Sequence, residues 1–326
     1  MRNILLNPGP TNTRFRTKLA QWLGSDVCHR TDKFQGILDE TKSLLLEGFT
    51  DHFIAILSGS GTTAMEAMIS SLLDNVVVIN AGIYGQRSID MMKIYGIKYK
   101  EIKCNSIKDL KEEGVNTDIK NLYFVENETT TGEKFEVEEI SKLFPNANLY
   151  IDATSAFGSS IYSNPKISAL CFCSNKCLQS TPGIGAVIFK KDLKIKKRSY
   201  YLNLKKYIGN DIPFTLPVQS IQALNKTLKI SKNNKKVFDN RRDRIIEEFN
   251  GMGIKCINIC PSNSIIGFTH PTLSYHQLRY KLLERNIIIY AGIKGIKNSF
   301  RISTMSVLFD TKFKKIKESF YETCIH

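Results

Sequence analysis

No stretch of this chain approaches the roughly 20 consecutive apolar residues that a membrane-spanning helix needs, which argues against an integral membrane protein. The first apolar run, Ile4 to Leu6, is too short for a secretory leader and ends in Asn7-Pro8-Gly9-Pro10. A soluble, cytoplasmic protein is the expectation. The eight cysteines (Cys28, Cys104, Cys171, Cys173, Cys177, Cys256, Cys260 and Cys324) lack the compact spacing of a disulfide framework. Cys171, Cys173 and Cys177 lie close together, but no Cys-x-x-Cys pair or neighbouring histidine supports a zinc site, and no metal is expected. Reduced, buried thiols packing as small hydrophobes are the simpler reading. No internal repeat and no low-complexity segment interrupts the chain.

Acidic residues are also in short supply. Asp and Glu number 31 against 46 Lys and Arg, leaving a formal net charge of +15. Nucleic-acid binding would gather those charges into a stripe with interleaved aromatics. Here the clusters (190 to 198, 232 to 236, 241 to 244, 312 to 317) are scattered over expected surface helices and turns. No nucleic-acid partner is expected, and the charge is read at most as a field attracting acidic substrates. At 42% hydrophobic and 24% charged, 326 residues suffice for one large domain or two unequal ones.

What is present centres on Ser174-Asn175-Lys176-Cys177. Two short, fully apolar, β-rich runs, Ile167 to Cys173 and Ile184 to Phe189, flank it with a Gly/Pro turn between them and read as buried strands. A lysine at the end of a buried strand is expensive unless its amine is used, in an ion pair or in chemistry. Upstream, Leu149-Tyr150-Ile151-Asp152-Ala153-Thr154-Ser155 puts a carboxylate at the end of another apolar strand. A lysine and an acid at two strand ends, among small polar residues, suit pyridoxal phosphate. The amine forms a Schiff base with the aldehyde, and the acid keeps the pyridine nitrogen protonated.

Elsewhere, the strand Phe53 to Leu57 runs into Ser58-Gly59-Ser60-Gly61-Thr62-Thr63-Ala64 and a helix expected over Met65 to Leu73. Glycines and a helix N-terminus make a phosphate cradle. The same residues approximate a dinucleotide fingerprint, but the next strand ends in Asn80 where that reading wants an acid. Asn80 to Arg87 reads as a loop with Tyr84 between glycines, a ring able to stack on a flat cofactor or simply to pack. The strand Leu122 to Val125 ends in Glu126-Asn127-Glu128-Thr129-Thr130-Thr131-Gly132, offering hydroxyls above the sheet. Asn7 to Thr11 forms a rigid loop, a plain turn or a site lining that includes Pro10 and Thr11. A helix is expected from Ile107 to Glu113.

Strand–helix alternation from about residue 53 to 190 implies a mainly parallel α/β sheet. The connector Asp211-Ile212-Pro213-Phe214-Thr215-Leu216-Pro217 then leads to one long helical stretch, Val218 to Asn250, and a smaller α/β unit with Arg301 in an apolar strand. An arginine so placed is a candidate oxyanion binder. The expected division is a large domain over 15–216, with 1–14 and 217–326 forming the small one.

Taken in order, Asn7-Pro8-Gly9-Pro10, Ser60-Gly61-Thr62, Gly82-Ile83-Tyr84-Gly85, Glu128-Thr129-Thr130-Thr131-Gly132, Asp152-Ala153-Thr154-Ser155, Ser174-Asn175-Lys176 and Phe300-Arg301-Ile302 resemble the class V aminotransferases over nearly the whole chain. The resemblance implies a pyridoxal phosphate-dependent transferase of fold type I. It further implies that Lys176 bonds the cofactor and shuttles a proton, while Asp152 pairs with its ring nitrogen. Ser60, Gly61 and Thr62 would cradle the phosphate, Tyr84 would stack on the ring, and Thr129 would sit by its phenolic oxygen. Thr154 would lie under the ring and Asn175 beside the phosphate. Thr215 is similar to a threonine that the family lends to the neighbouring subunit, implying a homodimer with shared sites, and Arg301 to the arginine that binds the substrate's anionic end. The Glu-Thr-Thr-Thr-Gly and Asn-Lys-Cys-Leu-Gln segments favour the branch acting on 2-aminoethylphosphonate and pyruvate. A serine or alanine:glyoxylate enzyme is the rival within the family, and a non-catalytic basic binding protein the rival outside it.

Overall fold

A computed structural model describes residues 3–112, 118–209, 212–231 and 234–325. Glu113, Asp211 and Lys232, each part of a segment named above, lie outside the described residues.

The amino-terminal arm carries β1 (Ile4–Leu5) and leads to α1 (Phe15–Trp22) and α2 (Asp32–Leu45). Then β2 (His52–Ser58) runs into α3 (Gly61–Leu72), β3 (Val76–Asn80) into α4 (Ile83–Ile94), and β4 (Tyr99–Lys103) into α5 (Ile107–Glu112). After β5 (Asn121–Val125) come the paired β6 (Asn127–Glu128) and β7 (Glu133–Lys134), α6 (Val137–Leu143), β8 (Asn148–Asp152), β9 (Ile167–Cys173) and β10 (Ile184–Lys190). The remainder holds α7 (Val218–Ile230), α8 (Lys235–Asn250), β11 (Lys255–Cys256), β12 (Ile265–Thr269), α9 (Tyr275–Glu284), β13 (Ile287–Ile288), β14 (Tyr290–Ala291), β15 (Ser299–Ser303) and α10 (Phe313–Ile325).

The main sheet has seven strands in the order β2-β10-β9-β8-β5-β3-β4. Only β10 runs against its neighbours, so the sheet is mainly parallel, as the strand–helix alternation implies. Helices cover both faces, which is why its strands are apolar throughout rather than alternating. In β2 the pleat sends Ile54 and Ile56 into one apolar cluster and Ala55 and Leu57 into the other. All seven residues of β9 are buried. Strands β2, β3, β5, β8 and β9 point the same way, so their polar ends gather along one edge. Ligands of open α/β sheets bind at such an edge.

Residues 218–250 form two helices rather than the one expected. Asn234 stops a continuous helix because its side chain accepts a bond from the Val237 amide (3.1 Å) and caps α8. Leu216, Ile221 and Leu224 at the start of this region pack into the large sheet's apolar cluster. The stretch from 287 to 291 is divided as well: β13 pairs in parallel with β1, whereas β14 pairs with β15. The carboxyl-terminal sheet, β11-β12-β15-β14, is antiparallel and covered by α8 and α10 through Phe249, Phe268, Phe300 and Phe320. Ring centroids of Phe249 lie 4.9 Å from Phe268 and 4.5 Å from Phe320.

Truncation of that central ring forfeits its burial and leaves a cavity. Phe249→Ala should cost about 3–5 kcal/mol and speed amide exchange in β12 and β15 while leaving β8 and β9 unchanged. Unaltered exchange in β12 and β15 would show that the ring does not bear on that sheet.

Candidate active site

Lys176 leaves the end of β9 on a turn that its neighbours close. The Ser174 hydroxyl donates to Thr181 O (2.6 Å), the Ser180 amide to Ser174 O (2.9 Å) and the Gln179 amide to Lys176 O (2.8 Å). Gln179 takes the left-handed conformation (φ 60°) and is held there by its side chain, which donates to Met305 O (2.5 Å) and accepts from Arg14 Nη1 (2.8 Å). The Lys176 ammonium donates to Pro8 O of the arm at 2.5 Å. Gly9 lies against the same side chain at φ 139°, where an added Cβ would come within 2.9 Å of Lys176 Cδ and Cε. Only glycine lets the arm approach this closely.

Asp152 ends β8, the strand beside β9, and is 2% exposed. Its Oδ1 accepts from the Thr154 amide (2.9 Å) and faces the Cys171 thiol at 3.7 Å. Burial raises its pKa, and the Thr154 bonds and the Lys176 charge offset part of that rise. Burial likewise lowers the pKa of Lys176, while Cys173, Cys177 and Asp152 push it back up and Arg301 pushes it further down. The amine is thereby biased toward its neutral, nucleophilic form.

Arg301 belongs to β15 of the other sheet, yet its buried guanidinium reaches this edge. Nε donates to Ala291 O and Nη1 to Thr129 O, both at 2.6 Å. The Thr129 hydroxyl lies 2.9 Å from that of Ser155. Two main-chain acceptors thus consume one Nε–H and one Nη1–H. Among the described residues no hydrogen bond is seen from Nη2. Tyr290 packs under the guanidinium, ring centroid 4.9 Å from Cζ.

Gly61 and Thr62 do not precede the helix as the sequence suggested but open it: α3 begins at Gly61. Ser60 caps it, and the Thr63 hydroxyl accepts from the Ser60 amide (3.1 Å), which stabilises a start four residues earlier than propensity indicated. A Cβ on Gly61 would come within 2.7 Å of Thr154 Cγ2, so the helix start rests directly on the Asp152 loop. Tyr84, expected in a loop, lies in the first turn of α4. That turn is fastened by Glu128, whose Oε2 accepts from the Gly85 amide (3.3 Å) and whose Oε1 accepts from the Thr130 hydroxyl (2.5 Å). An acid at a helix N-terminus is favourable. Burial nonetheless raises its pKa.

Glu128 and Arg87 both touch site residues and were not singled out from sequence. Arg87 donates to the Thr62 hydroxyl (3.3 Å) and stacks on Tyr84. Its spacing of three from Tyr84 on a helix was the available signal. Asn175 is half-buried next to Lys176. Thr215 is exposed and meets the site's edge only through its main chain, whose carbonyl accepts from the Ser58 hydroxyl (3.1 Å). Pro10 is exposed, and Thr11 is buried with its hydroxyl unpaired. Among the described residues no group of three or more His, Cys, Asp or Glu is arranged to hold a metal ion.

Such a site, with a desolvated amine, a buried acid one strand away, an open helix start and a buried arginine, can form a covalent adduct with an aldehyde and hold an anion. Residues 24–321 match the family described as aminotransferase class-V. The chain is 26% identical to a 2-aminoethylphosphonate–pyruvate transaminase of Klebsiella pneumoniae, covering 94% of each, and 23% identical to one of Bacteroides fragilis, covering 98% of each. Its fold is similar to that of an aspartate aminotransferase of subgroup IV from Thermus thermophilus (TM-score 0.87, 22% identity, 98% of each chain). An alanine–glyoxylate aminotransferase from Nostoc is similar too (TM-score 0.84, 22% identity, 100% of this chain and 96% of that one). The chain belongs to the class V aminotransferases, enzymes of fold type I that depend on pyridoxal phosphate.

Proposed function

We propose that this enzyme moves an amino group between 2-aminoethylphosphonate and pyruvate, giving phosphonoacetaldehyde and L-alanine. The observation that carries the substrate is Arg301, buried at this edge with its Nη2 unbonded among the described residues and its charge acting on Lys176; a guanidinium so placed suits a phosphonate oxygen pair. Relatives of that activity at 23–26% identity support the same reading.

The residues fit the cofactor. Thr154 Oγ1 is shielded from water with no hydrogen-bond partner among the described residues, and Gly61, lacking a side chain, lets the start of α3 lie directly against Thr154. Lys176, Asp152, Thr154, Thr129, Asn175 and the start of α3 would hold it, with Tyr84 against its ring. Pyridoxal phosphate supplies an aldehyde that captures amines and a ring that takes up electrons. Lys176 Nζ, biased toward neutrality, would hold the aldehyde by its amine and would move the proton to and from the amine-bearing carbon. Asp152 would hold a proton at the ring nitrogen, and its burial would strengthen that pairing because water does not screen it. Arg301 orients the substrate by its anionic end, and Pro8 to Thr11 exclude water above Lys176.

Lys176→Ala should abolish the visible absorption of the bound cofactor. Asp152→Asn should keep the fold and lower turnover by about two orders of magnitude or more. A retained visible band in the first variant, or near-normal turnover in the second, would show these two residues misassigned.

Among 2-aminoethylphosphonate, alanine, serine and aspartate at equal concentration, the phosphonate should bleach that band fastest in a single turnover. Arg301→Lys should reduce the preference by about tenfold or more, since an ammonium offers no planar fork. Faster reaction with alanine or serine and glyoxylate would reassign the enzyme to the rival branch.

We also propose a homodimer in which Thr215 completes the partner's site. Thr215 is exposed, and α1 presents Phe15, Trp22 and the adjoining Leu23 to solvent at 72%, 81% and 63% exposure, an apolar face suited to a second copy. Thr215→Ala should weaken cofactor retention, and mixing it with Lys176→Ala should restore competent sites by subunit exchange. Full activity in a monomer by sedimentation would eliminate the arrangement.

A further inference from the structure

Arg87 sits on the second residue of α3 and on the Tyr84 ring at once. Its Nη1 donates to Thr62 Oγ1 at 3.3 Å, and its Cζ lies 4.6 Å from the Tyr84 ring centroid. The stacking fixes the plane of the guanidinium, and the hydroxyl fixes its direction along the opening of α3. The group is half-buried, and among the described residues no carboxylate comes within ion-pair distance of it. Acids on adjacent elements are engaged otherwise: Asp90 with Gln86 and Lys93, and Glu128 with Gly85 and Thr130. A partly desolvated cation without a counter-charge is costly. One of its five donors is used; the others have no acceptor among the described residues.

The start of α3 poses the complementary problem. Ala64 is the first amide to find a main-chain acceptor within the helix, Ser60 O at 3.3 Å; the Thr63 amide meets the Ser60 side chain and the Gly61 amide faces the Cys173 sulfur, which leaves the Thr62 amide with no turn behind it to bond. A helix end offers about half an elementary charge, whereas a phosphate monoester brings close to two negative charges at neutral pH. Hydroxyls of Ser60 and Thr62 add dipoles but no charge. Hydrogen bonding alone leaves a dianion there under-compensated.

We propose that Arg87 is a phosphate ligand of the cofactor site: it neutralises the phosphate held at the start of α3 and, through the same guanidinium, locks the Tyr84 ring in place. This rests on the cofactor reading above. The cation and the anion cradle each lack what the other supplies, and Thr62 already brings them within one hydrogen bond. Arginine suits the position because its planar fork can stack on Tyr84 while donating edgewise to phosphate oxygens.

Binding of pyridoxal 5′-phosphate and of pyridoxal, which lacks the phosphate, to the apoprotein separates this role from mere packing. Arg87→Ala should weaken the phosphorylated ligand by about 10- to 100-fold, the usual worth of a bond between charged groups, and change pyridoxal binding by about twofold at most. Arg87→Lys should recover part of the loss. The 31P signal of the bound phosphate should titrate at higher pH in Arg87→Ala, because the dianion loses its cation. Equal weakening of both ligands, or an unmoved 31P titration, would overturn the proposal. Failure of the unaltered protein to bind either ligand would instead overturn the cofactor reading, and this proposal with it.

Discussion

Two ionisable groups of opposite sign, Asp152 and Lys176, are kept from water at the ends of neighbouring parallel strands, and the rest of the molecule can be understood as what this demands. Burial disfavours each charge, so the acid's pKa rises and the amine's falls, and the attraction between them offsets part of both shifts. Parallel pairing of β8 with β9 sets their relative height. The turn from Ser174 to Thr181 and the closely applied arm then fix where the amine points. Without the apolar layers on both faces the strands would admit water and the mutual bias would fade toward surface values.

The seam between the two sheets is polar where it meets the site. Ser264 Oγ donates to Ser155 O (2.6 Å), Asn127 Nδ2 reaches Ser264 Oγ (2.8 Å), and Arg301 closes on Thr129 O. These bonds are directional, unlike apolar contact, and they specify one mutual placement of the strand ends rather than a range. Thr129 is therefore held from both sides, by Ser155 of the large sheet's edge and by an arginine of the small sheet.

The fold was legible because its strands are buried on both faces and read as unbroken apolar runs punctuated by Gly and Pro; Ile167 to Cys173 is the clearest. Lys176 and Asp152 stood out for the same reason, as charges where apolar runs end. Other features escaped because their causes are not local. The early start of α3 depends on Thr63 accepting from Ser60, and the first turn of α4 depends on Glu128, far away in sequence. The break between α7 and α8 rests on one side-chain cap at Asn234, which a helical pattern overrides on paper. Two-residue strands such as β1 and β13 carry no periodicity, and only each other's presence defines them.

That last pairing has a bearing on how the chain is made. Ile4 and Leu5 find their ladder partners at Ile287 and Ile288, the Asn12 carboxamide oxygen finds the Ser306 hydroxyl, and the Leu6 carbonyl finds the Ser303 amide. During synthesis on the ribosome the large sheet can assemble once residue 190 has emerged, since all its strands precede that point. The arm has nowhere to dock until more than ninety further residues follow. Lys176 accordingly stands uncovered on a formed sheet through much of translation. The closing of the amine's surroundings waits on a contact of long sequence separation rather than on the strands that bear it.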